Sequence, residues 1–290
     1  MAEVILCAVD DSEVAGRVLG TARWLAEAWG GELVVVHAVE GHGQEADGVV
    51  ASIRARLSGA GVAPDVRLVD GPPARALTQT AEEEGAELLV TGSRGRGALR
   101  SAVLGSVSRE LALEAPCPVV IVPSGDRWAE TGADAANASV VCGVDGSDQA
   151  LAAAALAGRL ATALGARLVL VHARQNLRAV AAYAGASKTT PPLTGQDDAV
   201  QKLADRVIED AEQAAGVSAL AIVEPGPPAE VLESVADREH ARLVVIAARG
   251  VGGLRAALLG SVAAALPLEA TRPVVVLSPA AIAQAARSGP

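Results

Sequence analysis

The chain has 290 residues, 51% apolar but only 1% aromatic (three Trp, one Tyr, no Phe), with a net charge of −10. Its length suits about two ordinary domains, while an acidic, aromatic-poor chain offers neither a basic face for nucleic acid nor a platform for stacking bases. Arg159 and Arg167 interrupt the best apolar run, three scattered cysteines give no disulfide or metal spacing, and the opening "MAEVILCAVDDS" lacks the basic start of a signal peptide; cytoplasm is therefore the expected compartment, without membrane or nucleic-acid partners.

In chain order, "VILCAVD" predicts a buried strand, and Ser12 stands where a helix cap would. "EVAGRVLGTARWLAEAW" has helical apolar spacing and stops at Gly30-Gly31. A second strand, "ELVVVHAV", is followed by a variable segment with the helical stretch "GVVASIRARLSGAG" and a third strand, "DVRLVDG". "PARALTQTAEEEG" predicts a helix with Pro73 near its start, and "AELLVTG" a fourth strand. A short helix from about Ser106 to before Pro116 leads into a fifth strand, "CPVVIVPS". Strands with near-continuous Val, Leu and Ile are buried on both faces, which marks a parallel sheet covered by helices.

The pattern then repeats. Val4–Ala38 matches Ser139–Ala173, pairing Asp10 with Asp145 and His37 with His172 at an offset of 135. "DGPPARAL" matches "PGPPAEVL", and "GSRGRGALRSAVLGSVS" matches "AARGVGGLRAALLGSVA", at an offset of 155. The second copy thus carries about 20 extra residues after Ala173. The expected division is a first domain over 1–125, a linker over 126–138, a second domain over 139–280 with an insertion at about 174–198, and a tail over 281–290. The insertion holds Tyr183 and "TTPPLTG"; a lid over the second site and a plain surface loop are both open readings.

Ligands of doubly wound sheets bind beyond the carboxyl ends of strands, where the strand order reverses. Two strands here end in small, polar turns: the first at Asp10-Asp11-Ser12, the fourth in the glycine-rich run Gly92–Gly97. If these strands are neighbours, glycine backbone can wrap a polyphosphate and the N-terminus of the helix opened by Gly105-Ser106 favours the same anion. A carboxylate at Asp10 accepts from ribose hydroxyls. A glycine cluster can also be only a tight turn, and a strand-end aspartate only a cap. The run follows the fourth strand, not the first, so it is not a Rossmann fingerprint, and no G-x-x-x-x-G-K-[ST] occurs. His37 and His172 have no ligand spacing and read as structural, Cys7 and Cys142 as small buried hydrophobes. Asp11 becomes Gly146, which argues against a repeated metal site.

The spacing Gly92-x-x-Gly95, nine residues, Gly105-Ser106, with strands ending "VDDS" and "VHA", resembles the signature of the universal stress protein family, once in each half of the chain. The resemblance implies α/β architecture: two tandem five-stranded parallel, doubly wound, adenine-nucleotide-binding domains in pseudo-twofold packing, with strand order 3-2-1-4-5. It implies ATP in the crevice between strands one and four, with any Mg²⁺ riding on the phosphates. Carried over, Asp10 meets the ribose beside Ala8, Ala38 lines the adenine, and Gly92, Gly95, Gly97, Gly105, Ser106 and Val107 surround the phosphates, with Arg94 and Arg96 adding charge. The matching positions are Gly143, Asp145, Ala173, Ala247, Arg249, Gly250, Gly252, Gly260, Ser261 and Val262. Three departures fall in the second half: Ala247 replaces the first glycine, Val251 replaces Arg96, and Pro267 falls inside the short helix after Gly260.

The resemblance further implies a stress-response regulator that binds ATP without catalytic residues, and dimers formed through the fifth strand. That makes a homodimer, or a joint between the two halves, the expectation for "PVVIVPS" and "PVVVLSP", with a downstream protein partner left unidentified. Two alternatives stay open: a dimerising scaffold without nucleotide, and an enzyme that hydrolyses ATP slowly.

Overall fold

The computed structural model describes residues 3–39, 48, 50–55, 66–94, 104–124, 138–174, 196–250 and 258–288. The first half runs β1 (Val4–Ala8), α1 (Ala15–Trp29), β2 (Glu32–Val39), β3 (Val66–Asp70), α2 (Pro73–Glu83), β4 (Ala86–Gly92), α3 (Ser106–Glu114) and β5 (Val119–Val122). The second runs β6 (Ser139–Gly143), α4 (Asp148–Ala163), β7 (Arg167–Arg174), α5 (Gln196–Ala215), β8 (Ala219–Pro225), α6 (Pro228–Arg238), β9 (Ala241–Ala247), α7 (Ser261–Glu269) and β10 (Val274–Leu277), and ends in α8 (Pro279–Ser288). Residues 50–55 are also helical.

All ten strands form one sheet in the order β3-β2-β1-β4-β5-β10-β9-β6-β7-β8. Within each half every pairing is parallel, and the order is 3-2-1-4-5. The halves join where β5 pairs antiparallel with β10, Ile121 opposite Val274 and Val119 opposite Val276. The two fifth strands, otherwise open edges, thus close on each other. The repeat extends to a flaw: the β1–β4 register shifts between Val4 and Ile5, and the β6–β9 register between the equivalent Ser139 and Val140.

Alternate residues of each buried strand point to opposite faces. Ile5, Cys7, Leu88 and Val90 face α1, whose Val18, Leu19 and Leu25 cover them. Leu6, Leu89, Val119 and Ile121 face the other way, toward Leu77 of α2 and Leu111 of α3. In the second half α4 and α5 supply Ala153, Leu160 and Ile208 to the first layer, and α6 and α7 supply Val235 and Leu266 to the second. Each such Leu or Ile, fully buried, contributes about 1.5–3 kcal/mol. Alanine lines the helix faces, and at Gly158 of α4 even a Cβ would strike the carbonyl oxygen of Ala215, which ends α5. Among the described residues no helix is long and apolar enough to cross a membrane.

The seam carries side-chain contacts as well. Ser278 Oγ donates to the carbonyl of Ala115 at 2.5 Å, and Arg159 Nη2 lies 3.1 Å from Glu87 Oε2. The guanidinium of Arg159 sits 5.6 Å from the ring centroid of Trp29, and that of Arg242 5.0 Å from that of Trp24.

Two local outcomes differ from the sequence reading, and a third bears on the proline noted there. Ser12 does not cap α1: the helix begins at Ala15 with Val14 in the cap position and no capping side chain, and Ser12 lies two residues too early, its carbonyl accepting from the Ala15 N–H at 3.2 Å. The equivalent Ser147 does cap α4, its hydroxyl accepting from the Ala150 N–H. Pro267 costs α7 no length: the helix ends at Glu269, equivalent to Glu114, since a proline so near the end deletes only one late hydrogen bond. The segment from 281 is helical, as α8 packs Ala281 into the core and Ser278 Oγ accepts from the Ala281 N–H. The linker over 126–138 and the insertion with Tyr183 lie almost wholly outside the described residues, and with them the lid.

Candidate functional site

Adjacent β1 and β4 leave the Asp10 turn and the Gly92 turn facing one crevice, and β6 and β9 do the same in the second half. A cavity of about 480 Å³ opens in the first crevice, lined by Ala8, Asp10, Ala38, Gly92 and Arg94, and by Gly105, Ser106 and Val107. Its counterpart measures about 750 Å³ and is lined by Gly143, Asp145, Ala173, Ala247 and Arg249, and by Gly250, Gly260, Ser261 and Val262. The structure therefore gathers every described residue proposed from the sequence into two equivalent cavities. Gly95, Arg96, Gly97 and Gly252 lie outside the described residues.

Backbone geometry explains the residue types. A Cβ at Gly92 would lie 3.0 Å from Val14 Cγ2 and 3.3 Å from the Arg94 carbonyl oxygen. Gln149 occupies the position equivalent to Val14, and Ala247 replaces Gly92 there without positive φ. Gly105 begins α3 so close to the preceding loop that a Cβ would lie 3.2 Å from the Ser93 carbonyl oxygen, and Gly105 N–H donates to that oxygen. At Gly260 the same contact is made with Ala248. Neither α3 nor α7 has a capping side chain at its start, so first-turn N–H groups face the cavity with the positive end of the helix dipole.

The carboxylates are fixed differently in the two halves. Asp10 Oδ1 accepts from Ser12 N–H. Asp145 Oδ1 accepts both the N–H (3.0 Å) and the hydroxyl (2.6 Å) of Ser147, and its Oδ2 packs so closely on Gly250 that a Cβ there would collide with it. The arginines differ too. Arg94 Nε is buried without a hydrogen-bond partner among the described residues, whereas Arg249 Nε donates to the Leu258 carbonyl at 3.2 Å.

His37 and His172 brace the strand ends. His37 Nδ1 lies 2.7 Å from the Val9 carbonyl oxygen, and His172 Nδ1 2.9 Å from that of Val144. A carbonyl only accepts, so Nδ1 carries the proton in each ring. His37 Nε2 is buried in the cavity wall with no partner among the described residues.

The sequence reading did not place the floor of either cavity. Pro73 and Leu77 of α2, and Pro228 and Leu232 of α6, form it. The signal in sequence is the repeat of these residues in "GPPARAL" and "GPPAEVL".

The Universal stress protein family model matches residues 1–123 and again 137–278. A universal stress protein of Mycobacterium tuberculosis is 35% identical over 212 residues, covering 72% of this chain and 67% of that protein. One from Mycolicibacterium smegmatis is 31% identical over 243 residues, covering 84% and 76%. A crystal structure described as a putative universal stress protein from Pseudomonas aeruginosa aligns with a TM-score of 0.66 at 19% identity, over 99% of this chain and 98% of that one, which supports the fold. Matched twice by one family model along its length, the chain belongs to the universal stress protein family, with two of its domains in tandem.

Proposed function

We propose that this protein is a stress-response regulator that binds adenine nucleotide in the crevices between β1 and β4 and between β6 and β9, with ATP in the first. One observation carries the reading: the side-chain-free start of α3, the glycine-tight turn at Gly105 and the carboxylate of Asp10 line a single cavity. Helix N–H groups suit phosphate, and a carboxylate set back from them suits ribose hydroxyls. The residues present fit a nucleotide, and any Mg²⁺ would be held by its phosphates.

Chemistry stops at binding. No P-loop lysine occurs in the sequence, and this reading gives His37 and Asp10 structural and ribose-binding roles rather than that of a base. Because β5 and β10 pair within the chain, a homodimer of whole chains has to use a surface other than this edge. A downstream protein would respond to the loaded state.

The test is mass spectrometry of ligand released from denatured protein, with calorimetry of ATP on wild type and Gly105→Val. Bound adenine nucleotide, and affinity lost in the variant, are expected. Equal ATP affinity in both proteins would refute the site. A purified protein that neither carries nor binds nucleotide would favour the scaffold reading.

A further inference from the structure

Although the two cavities descend from one unit, several residues in and behind their walls have lost a hydroxyl. Thr91 is replaced by Ile246, buried Ser93 by Ala248, and buried Ser108, whose hydroxyl donates to the Gly92 carbonyl at 2.6 Å, by Ala263. Three hydroxyls thus become alkyl groups. Gly143 replaces Ala8, and Leu232 and Ile246 take up the space its side chain would need: a Cβ at Gly143 would lie 3.0 Å from Leu232 Cδ1 and 3.4 Å from Ile246 Cγ2. The second cavity is the larger of the two.

At the phosphate end the second half also carries one cation fewer in sequence, Val251 standing where the first half has Arg96. In the second half Asp145 lies against Gly250, so a carboxylate sits on the glycine turn itself. Arg249 uses its Nε on the Leu258 carbonyl, while Arg94 in the first half keeps a buried Nε without a partner among the described residues. Leu258, 58% exposed, places an apolar side chain at the rim of the second cavity. Each additional phosphate brings negative charge toward a fixed carboxylate, and like charges at short range in a partly desolvated site repel strongly.

We propose that the two cavities take different ligands: the first a nucleoside triphosphate, the second a nucleoside carrying at most one phosphate. The inference rests on the reading that both crevices bind adenine nucleotide. The apolar floor of Leu232 and Ile246 holds the base and sugar of the second ligand, and the Asp145–Gly250 contact limits the charge that can follow.

Each site can be isolated by adding a carboxylate to the other. Ser106 and Ser261 are exposed residues in the first turns of α3 and α7. Ser106→Asp and Ser261→Asp repel phosphate without filling buried space, and an acidic residue there suits the helix dipole. Calorimetry of AMP and ATP is then run on both variants. With only the second site open (S106D), AMP binds at least about tenfold more tightly than ATP, and with only the first open (S261D) the order reverses. In the S106D background, Asp145→Asn restores ATP binding to the second site relative to AMP. The same preference in both single variants overturns the proposal while leaving nucleotide binding intact. Absence of any nucleotide binding in wild type overturns the underlying reading, and this proposal with it.

Discussion

Ser278 Oγ donates to the Ala115 carbonyl oxygen at 2.5 Å and accepts from the Ala281 N–H at 2.9 Å. A single buried hydroxyl thus ties the second half to the end of α3 in the first half and starts the last helix. Ser278→Ala leaves a buried carbonyl and an uncapped N–H. It is expected to destabilise the fold by about 1–2 kcal/mol, read as a lower urea midpoint with unchanged slope. An unchanged midpoint would show that water replaces both bonds.

Gly158 is expected to tolerate no side chain. Its Cβ would meet the backbone of Ala215, so α4 and α5 would have to separate. Gly158→Ala should lower stability by about 1–3 kcal/mol, although alanine is the better helix former by about 1 kcal/mol. A gain in melting temperature would contradict the close packing.

At the first site, Asp10→Ala should weaken ATP binding by about 1–3 kcal/mol, the range for a lost charge-assisted hydrogen bond. Arg94→Ala should cost no more, because helix and glycine N–H groups are expected to carry the phosphate contacts. Calorimetry on both variants checks the ranking; an arginine loss far larger than the aspartate loss would relocate the binding energy to the guanidinium.

Phosphate release should be slow or absent. Turnover of about 1 s⁻¹ or faster, within the ordinary enzyme range, would show that the protein is an enzyme and not a binding regulator.

Burial pushes the thiols of Cys7, Cys117 and Cys142 up to about 12 from an ordinary value of 9.0. The folded state holds these protons longer than the unfolded chain, so stability falls as pH rises from about 9 toward 12 and is unaffected by thiol ionisation below that window. Denaturation midpoints across pH 8–11 test the sign, and Cys117→Ala should flatten the decline. A disulfide-exchange reagent at pH 8 should label the native protein slowly and the unfolded protein rapidly at all three positions.

The fold was legible because its signals are redundant. Val-rich strands repeat twice, Gly30 ends α1 at φ 66° as a C-cap glycine should, and the apolar fifth strands had an edge to hide. Ser12 misled because α1 begins two residues later than the pattern suggests, with Val14 in the cap position, whereas α4 begins directly after Ser147. The site was legible at its glycines and aspartates, whose types answer local demands of the backbone. Its floor was not, because Leu77 and Leu232 look in sequence like any other core leucine, and only the tertiary fold leaves one end of each facing a void.

The antiparallel pairing of β5 with β10 has a further consequence. All strands of one half run one way and all strands of the other run the opposite way, so the carboxyl ends, and the two mouths, open on opposite margins of the sheet. An effector docked over one mouth leaves the other accessible to solvent. The molecule thus presents its two mouths as separate outlets at opposite ends of one plate.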